Sequence, residues 1–236
     1  MRQLALVLSL LATVGCWVAD LLLLSVPAFR NGWWTLTFFA FPLALLVLAW
    51  GGKEPKKGLQ IGAWIFFIAG LGGWIALRTL QKVDGTPAVA VGDYAPDFML
   101  KDQDNKDVRL SDLVGDGRVV VIFFRGKYCL ICRAALRGLL PKLKDFTSSR
   151  VAVIAVGPMT PEEAKGFNLP FPVLSDPGLE TTKKYGLLHE KGLMNQDVPR
   201  PATLLIDKDR KIAWMRAETS LRIRPDPEEI FEQLKK

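Results

Sequence analysis

With 236 residues, half of them hydrophobic, and a formal net charge of +7, the chain has room for one or two domains of ordinary size. The positive balance does not mark a nucleic-acid binder: 31 Lys and Arg are scattered among 24 Asp and Glu, with no basic helix and no RNA- or DNA-binding motif. No internal repeat or low-complexity tract is present, which leaves out a solenoid or a long disordered tail.

The hydrophobic residues are unevenly spread. Up to about Leu80 the chain is dominated by Leu, Ala, Trp, Phe and Gly, and from Asp84 onward charges recur every few residues. Three apolar runs, about 4–26, 33–50 and 59–77, are each long enough to cross roughly 30 Å of hydrocarbon as a helix. The charged loop from Gly51 to Gly58 separates the second from the third, and Trp33, Trp34, Trp50 and Trp74 stand near the predicted ends, where an indole suits the headgroup layer. Residues 1–80 thus read as a membrane anchor of three transmembrane helices. A cleavable signal competes for the first run, since Thr13-Val14-Gly15-Cys16 resembles a lipoprotein cleavage site; the apolar stretch from Trp17 to Val26 opposes it. Arg2, Lys53, Lys56 and Lys57 outnumber Arg30, Arg78 and Lys82 and place the amino terminus inside. An odd number of spans then puts the remainder outside the cytoplasm, on the periplasmic side of a bacterial-type plasma membrane, where disulfides persist. Asp20 reads as an interfacial carboxylate near a helix end, with a relay role as its alternative. Gly62, Ala69, Gly70 and Gly73 form a strip of small residues for helix packing.

Gly85, Pro87 and alternating small residues make 81–90 a linker, with a domain at 91–236 of roughly 145 residues, enough for one core. Short strands at Phe98 to Leu100 and Val108 to Leu110 flank a polar turn and predict a hairpin. Arg118 to Phe124 is apolar without alternation, the mark of a central strand covered on both faces. Cys129-Leu130-Ile131-Cys132 follows, and then Leu136, Leu139, Leu140, Leu143 and Phe146 at helical spacing, so the cysteines sit at a strand-to-helix junction. A strand at Val151 to Val156, a helix at Pro161 to Phe167, a strand at Phe171 to Leu174 and a helix at Leu179 to Tyr185 continue the alternation. Ala202 to Asp207 and Ile212 to Arg216 predict a closing hairpin, and Asp226 opens a last helix reaching Leu234. The fold class is therefore an α/β domain with a central mixed sheet and flanking helices.

Two cysteines with two residues between them can bridge where the backbone turns, as it does in the first turn of a helix. Unpaired N–H groups there favour a thiolate, and the nearby cations Arg125, Lys127 and Arg133 would lower a thiol pKa further. Cys129 is the expected nucleophile and Cys132 the resolving residue. Zinc is a poor alternative, because only Cys16 and the lone His189 could complete a ligand set; a passive structural disulfide is the other. His189, among Leu188, Glu190 and Lys191, reads as a surface residue.

Val119 to Leu139, VVVIFFRGKYCLICRAALRGL, closely resembles the active-site stretch of membrane-tethered, extracytoplasmic thiol–disulfide oxidoreductases of the thioredoxin-like superfamily and of the related AhpC/TSA peroxiredoxins. Gly92-Asp93-Tyr94-Ala95-Pro96-Asp97-Phe98 looks like the opening motif of the same redoxins, and Pro201 to Asp207 is similar to the segment that starts with their cis-proline. The resemblance implies a thioredoxin-like fold for the soluble domain, catalysis by Cys129 and Cys132, a supporting place for Tyr128 beside them, and substrate contact at Arg200 and Pro201. Departures accompany it. Gly126 stands where peroxiredoxins carry Thr or Ser, and Pro201 where they carry Arg, with Arg200 adjacent; Tyr128, Leu130-Ile131 and Phe123 replace the thioredoxin Trp, a Pro-containing pair and a buried acid.

The expected activity is reduction of protein disulfides, with a thiol peroxidase and a non-catalytic redoxin module as alternatives. No cofactor or metal is called for, since the dithiol carries the electrons. The expected partners are protein thiols and disulfides, a membrane or soluble electron donor, and the lipid bilayer; nucleic acid is not among them.

Overall fold

The computed structural model describes residues 83, 85–193, 195–220 and 223–235, together with the isolated helical positions Gly15, Ile68, Gly72 and Ile75. The three expected spans, with the readings of Asp20 and Cys16, lie outside the described residues but for those four positions; among the described residues no helix is long and apolar enough to cross a membrane.

Val83–Lys236 forms a compact unit by itself. Its elements are β1 (Met99–Lys101), β2 (Asp107–Arg109), α1 (Leu110–Asp116), β3 (Arg118–Phe123), α2 (Leu130–Gly138), α3 (Leu143–Ser148), β4 (Val151–Gly157), α4 (Pro161–Lys165) and β5 (Val173–Ser175). They continue with α5 (Glu180–Lys184), β6 (Leu188–Leu193), β7 (Gln196–Pro199), β8 (Ala202–Ile206), β9 (Ile212–Ala217) and α6 (Pro227–Gln233).

The main sheet runs β2-β1-β5-β4-β3-β8-β9. Strand β3 pairs in parallel with β4 and antiparallel with β8, so the sheet is mixed, as its alternating pattern predicts. The unbroken apolar run of β3 is explained by its two covered faces. Val120, Ile122 and Phe124 enter one core with Leu136 of α2, Phe146 of α3 and Ile230 of α6. Val119, Val121 and Phe123 enter the other with Leu110, Val114 and Tyr185. A period of two sends successive side chains to opposite faces, and both faces here need apolar groups.

Several elements differ from the sequence reading. Helix α1 was not foreseen: Gly115 and Gly117 suggest a loop, yet Leu110 and Val114 are buried one turn apart and hold the helix to β3. The long apolar segment after the cysteines is not one helix. Pro141 lacks an N–H to continue the ladder, and a 3-10 turn at Leu140–Lys142 divides α2 from α3. The β6–β7 hairpin was also missed, because its residues are mostly charged or polar and carry no alternation. His189 lies in it, half-buried with its ring against Gly192, and is not a plain surface residue.

The expected linker at 81–90 is corrected too. Val83 and Val89 are buried, Val83 N–H donates to the Thr219 carbonyl, and Ala88 N–H donates to that of Tyr185. Gly186, at φ 65°, leaves no room for a side chain, since a Cβ there would lie 2.1 Å from the Ala88 nitrogen. These residues are an outer strap of the domain.

At about 1.5–3 kcal/mol for each of the two buried valines, a domain starting at Val83 should be more stable than one starting at Val91 by about 3–6 kcal/mol. Urea unfolding of the two fragments measures this, and equal midpoints would show that the strap adds nothing.

Candidate active site

Strand β3 ends at Phe123, and Phe124 still packs into the core, edge-on to Phe167 with centroids 5.2 Å apart. The chain must then turn sharply to start α2. Gly126 makes that turn at φ 104°, a left-handed conformation that side chains resist, and a Cβ there would also press on Pro158 at 3.3 Å. A Thr or Ser at this place would be strained, which accounts for the departure from the peroxiredoxin pattern.

Cys129 follows as the N-cap of α2. Its backbone N–H donates to the Gly126 carbonyl, and its sulfur accepts the N–H of Cys132 at 3.2 Å. The two cysteines form a disulfide with Cα atoms 5.2 Å apart, the oxidised state of the pair. Cys129 is 6% exposed and Cys132 1% exposed, so Cys129 is the outer sulfur. Tyr128 and Leu130 flank it at 63% and 70% exposure.

The three neighbouring cations expected to support the thiolate are engaged elsewhere. Lys127 pairs with Glu163, itself part of the capping box of α4, and lies over the Tyr128 ring. Arg133 donates to the Gly166 carbonyl at 3.2 Å and stacks on Phe167. Arg125 is buried and donates to the Gly192 carbonyl, which ties the active-site turn to the β6–β7 hairpin. Burial pushes its pKa down from the ordinary guanidinium value. Proximity in sequence put these charges near the dithiol, but their side chains reach carbonyls, a carboxylate and rings.

The cation that touches sulfur comes from far along the chain. Arg224, 5% exposed and just ahead of α6, donates to Cys132 Sγ at 3.2 Å. Together they line a narrow cleft of about 20 Å³ with Ile122, Phe124, Leu136 and Ile230. Sequence reasoning missed Arg224; its one signal was an arginine followed by Pro225 at the mouth of a predicted helix.

Arg200 and Pro201 do not match their expected place. Arg200 is buried, and its guanidinium donates to the carbonyls of Glu218, Gly85 and Ala217, holding the strap and the end of β9. The Arg200–Pro201 peptide is trans, as there is no cis bond among the described residues, and trans is the form that X–Pro bonds favour by about 0.5–1 kcal/mol. Among the described residues no cluster of His, Cys, Asp and Glu could hold a metal.

A central mixed sheet with a disulfide capping the helix after its middle strand defines a thioredoxin-like redoxin. A sequence profile of the AhpC/TSA family matches residues 91–215, and the chain belongs to that family of thiol-dependent oxidoreductases. It is 33% identical over 133 residues to a putative peroxiredoxin of Mycobacterium tuberculosis, covering 54% of this chain and 84% of the relative. It is 32% identical over 130 residues to the thiol-disulfide oxidoreductase ResA of Geobacillus thermodenitrificans, covering 53% and 68%. The crystal structure of peroxidoxin BcpB from Mycobacterium tuberculosis matches with a TM-score of 0.52 at 25% identity, over 61% of this chain and 94% of that one.

The hydrogen bond from Lys127 holds the Glu163 carboxyl below the ordinary carboxylate range, and the backbone N–H of Thr160 acts in the same direction. A carboxylate with a depressed folded pKa contributes above its unfolded value, and the contribution is lost as pH falls through the folded one. Glu163→Gln keeps an oxygen for the Thr160 N–H but loses the charge. Its melting temperature should therefore lie slightly below wild type at pH 7, and the gap should close as pH falls below the ordinary carboxylate range; a gap that persists in acid would assign the effect to something other than the ion pair.

Proposed function

We propose that the protein is a membrane-anchored thiol–disulfide oxidoreductase that reduces protein disulfides outside the cytoplasm. The observation that carries this reading is the Cys129–Cys132 disulfide at the N-terminus of α2, with the outer sulfur already accepting a helix N–H. That N–H and the positive end of the helix favour Cys129 as a thiolate once the pair is reduced. The thiolate attacks a substrate disulfide, one substrate sulfur leaves and takes a proton, and a mixed disulfide remains on Cys129. Cys132 then attacks the Cys129 sulfur, the second substrate thiol departs, and the pair returns to the oxidised form. Two electrons pass to the substrate, and a dithiol donor in the membrane or soluble phase must restore them. No cofactor or metal enters the cycle, and nucleic acid has no part in it.

Similarity to a protein named as a thiol-disulfide oxidoreductase supports the exchange chemistry. Exposed Tyr128 and Leu130 beside Cys129 give an apolar rim suited to a polypeptide. The membrane part of the proposal rests on the apolar runs at 4–26, 33–50 and 59–77, and the periplasmic side on the Lys and Arg of the intervening loops.

A second reading, thiol peroxidase, is favoured by one observation. A peroxiredoxin is among the relatives, and in this reading Cys129 becomes a sulfenic acid that Cys132 resolves.

In the full-length chain, Cys132→Ser should accumulate thiol-reducible mixed disulfides through Cys129, visible on non-reducing gels and missing from a Cys129→Ser control. A clean absence of adducts would sink the reductase reading. Stopped-flow oxidation of the reduced wild type by hydrogen peroxide tests the other; a rate no faster than that of free cysteine excludes it.

A further inference from the structure

We propose that Arg224 sets the redox poise of the dithiol by holding Cys132 as the departing thiolate whenever the outer sulfur, Cys129, is attacked. The inference rests on the exchange chemistry above and gives it a tuning residue that none of the sequence motifs contains.

The two sulfurs have different stabilisers. The Cys132 N–H donates to Cys129 Sγ at 3.2 Å, a neutral backbone donor at the helix end. Arg224 donates to Cys132 Sγ, also at 3.2 Å, and brings a full positive charge. Both partners of this second contact are almost wholly buried, Arg224 at 5% and Cys132 at 1%. The cleft they share is otherwise walled by uncharged residues such as Ile122, Phe124, Leu136, Leu139 and Ile230, so Arg224 is its charged member. A charge-assisted hydrogen bond in such surroundings is screened far less than one in water, and it strengthens when its acceptor becomes an anion.

The reducing step shows where this acts. A donor thiolate attacks Cys129 Sγ and forms a bond to it; the Cys129–Cys132 bond breaks, and its electron pair stays on Cys132 Sγ beside the guanidinium. The donor's second thiolate then attacks its own sulfur in the mixed disulfide and frees Cys129, so the donor leaves oxidised and the pair is reduced. A leaving thiol of lower pKa departs faster, and an interaction that favours the reduced form raises the reduction potential. Arg224 therefore speeds reduction of the pair and makes it a milder reductant than the same dithiol without the charge.

The test uses the full-length protein in detergent, equilibrated with dithiothreitol buffers, with the oxidised fraction read by thiol alkylation. Arg224→Met is expected to shift the equilibrium about tenfold toward the disulfide, which is about 30 mV for two electrons, and to slow reduction by dithiothreitol by a similar factor. Arg224→Lys, which keeps the charge, should recover most of both. Where the Met variant does not fold, Arg224→Gln, with an N–H donor and no charge, takes its place and should shift the equilibrium in the same direction. An equilibrium constant within twofold of wild type in the neutral variants overturns the proposal. So does a loss in Arg224→Lys as large as in Arg224→Met, which would show that shape alone matters. If the wild type itself fails to exchange with dithiothreitol, the exchange reading falls; normal exchange with a potential insensitive to position 224 removes only the role of Arg224.

Discussion

The site depends on the two-sided burial of strand β3. Val119, Val121 and Phe123 must reach one core while Val120, Ile122 and Phe124 reach the other, and a one-residue slip would exchange the two sets. The register is further fixed on both sides, by β4 in parallel and by β8 antiparallel. Because Phe124 is seated against Phe167 and against Gly157, where a Cβ would lie 2.7 Å from its ring, the strand cannot advance or retreat. The turn at Gly126 then has one place to occur, and Cys129 arrives at the N-cap of α2 as a consequence of packing. The dithiol inherits its position from hydrophobic side chains that never touch a substrate.

Electrostatics at the site follow from the same geometry and invert what the local sequence suggests. A cation beside a cysteine in the chain lies close to it in the fold only if its side chain has no better partner. Lys127 finds Glu163, Arg133 finds the Gly166 carbonyl and the Phe167 ring, and Arg125 finds the Gly192 carbonyl. Each of these contacts gives the cation a partner away from the two sulfurs. Arg224 reaches the sulfur from the segment leading into α6. That helix is held against β9 by Arg216, whose guanidinium donates to both Glu229 oxygens at 2.6 Å.

What the sequence disclosed divides along physical lines. Runs whose burial is symmetric were readable: apart from Arg118 and Thr203, β3, β4 and β8 are apolar because both of their faces are covered. The Cys129–Cys132 pair was readable because its spacing and its place after β3 are local. Elements stabilised by distant partners were not. Helix α1 is held by two buried side chains against a background of loop-forming glycines, and the strap at 83–90 by backbone hydrogen bonds to residues about 100 or more positions away. Arg200 and Arg224 show the same limit from the side of function. Motif position favours Arg200 as the site residue, yet three carbonyls absorb its guanidinium, while Arg224, outside any motif, meets the sulfur.

The two sulfurs of this dithiol stand in different surroundings. The outer sulfur, Cys129, accepts the helix N–H and has exposed Tyr128 and Leu130 beside it. The inner sulfur, Cys132, is 1% exposed and faces Arg224 and a wall of aliphatic groups. The fold therefore does not choose between exchange and peroxide reduction by which residues it holds, since both sulfurs have a stabiliser. While the disulfide is closed, neither sulfur is a nucleophile. The oxidised state thus commits the protein to one event, attack on sulfur by a thiolate from outside, and every later step inherits the geometry of that first approach.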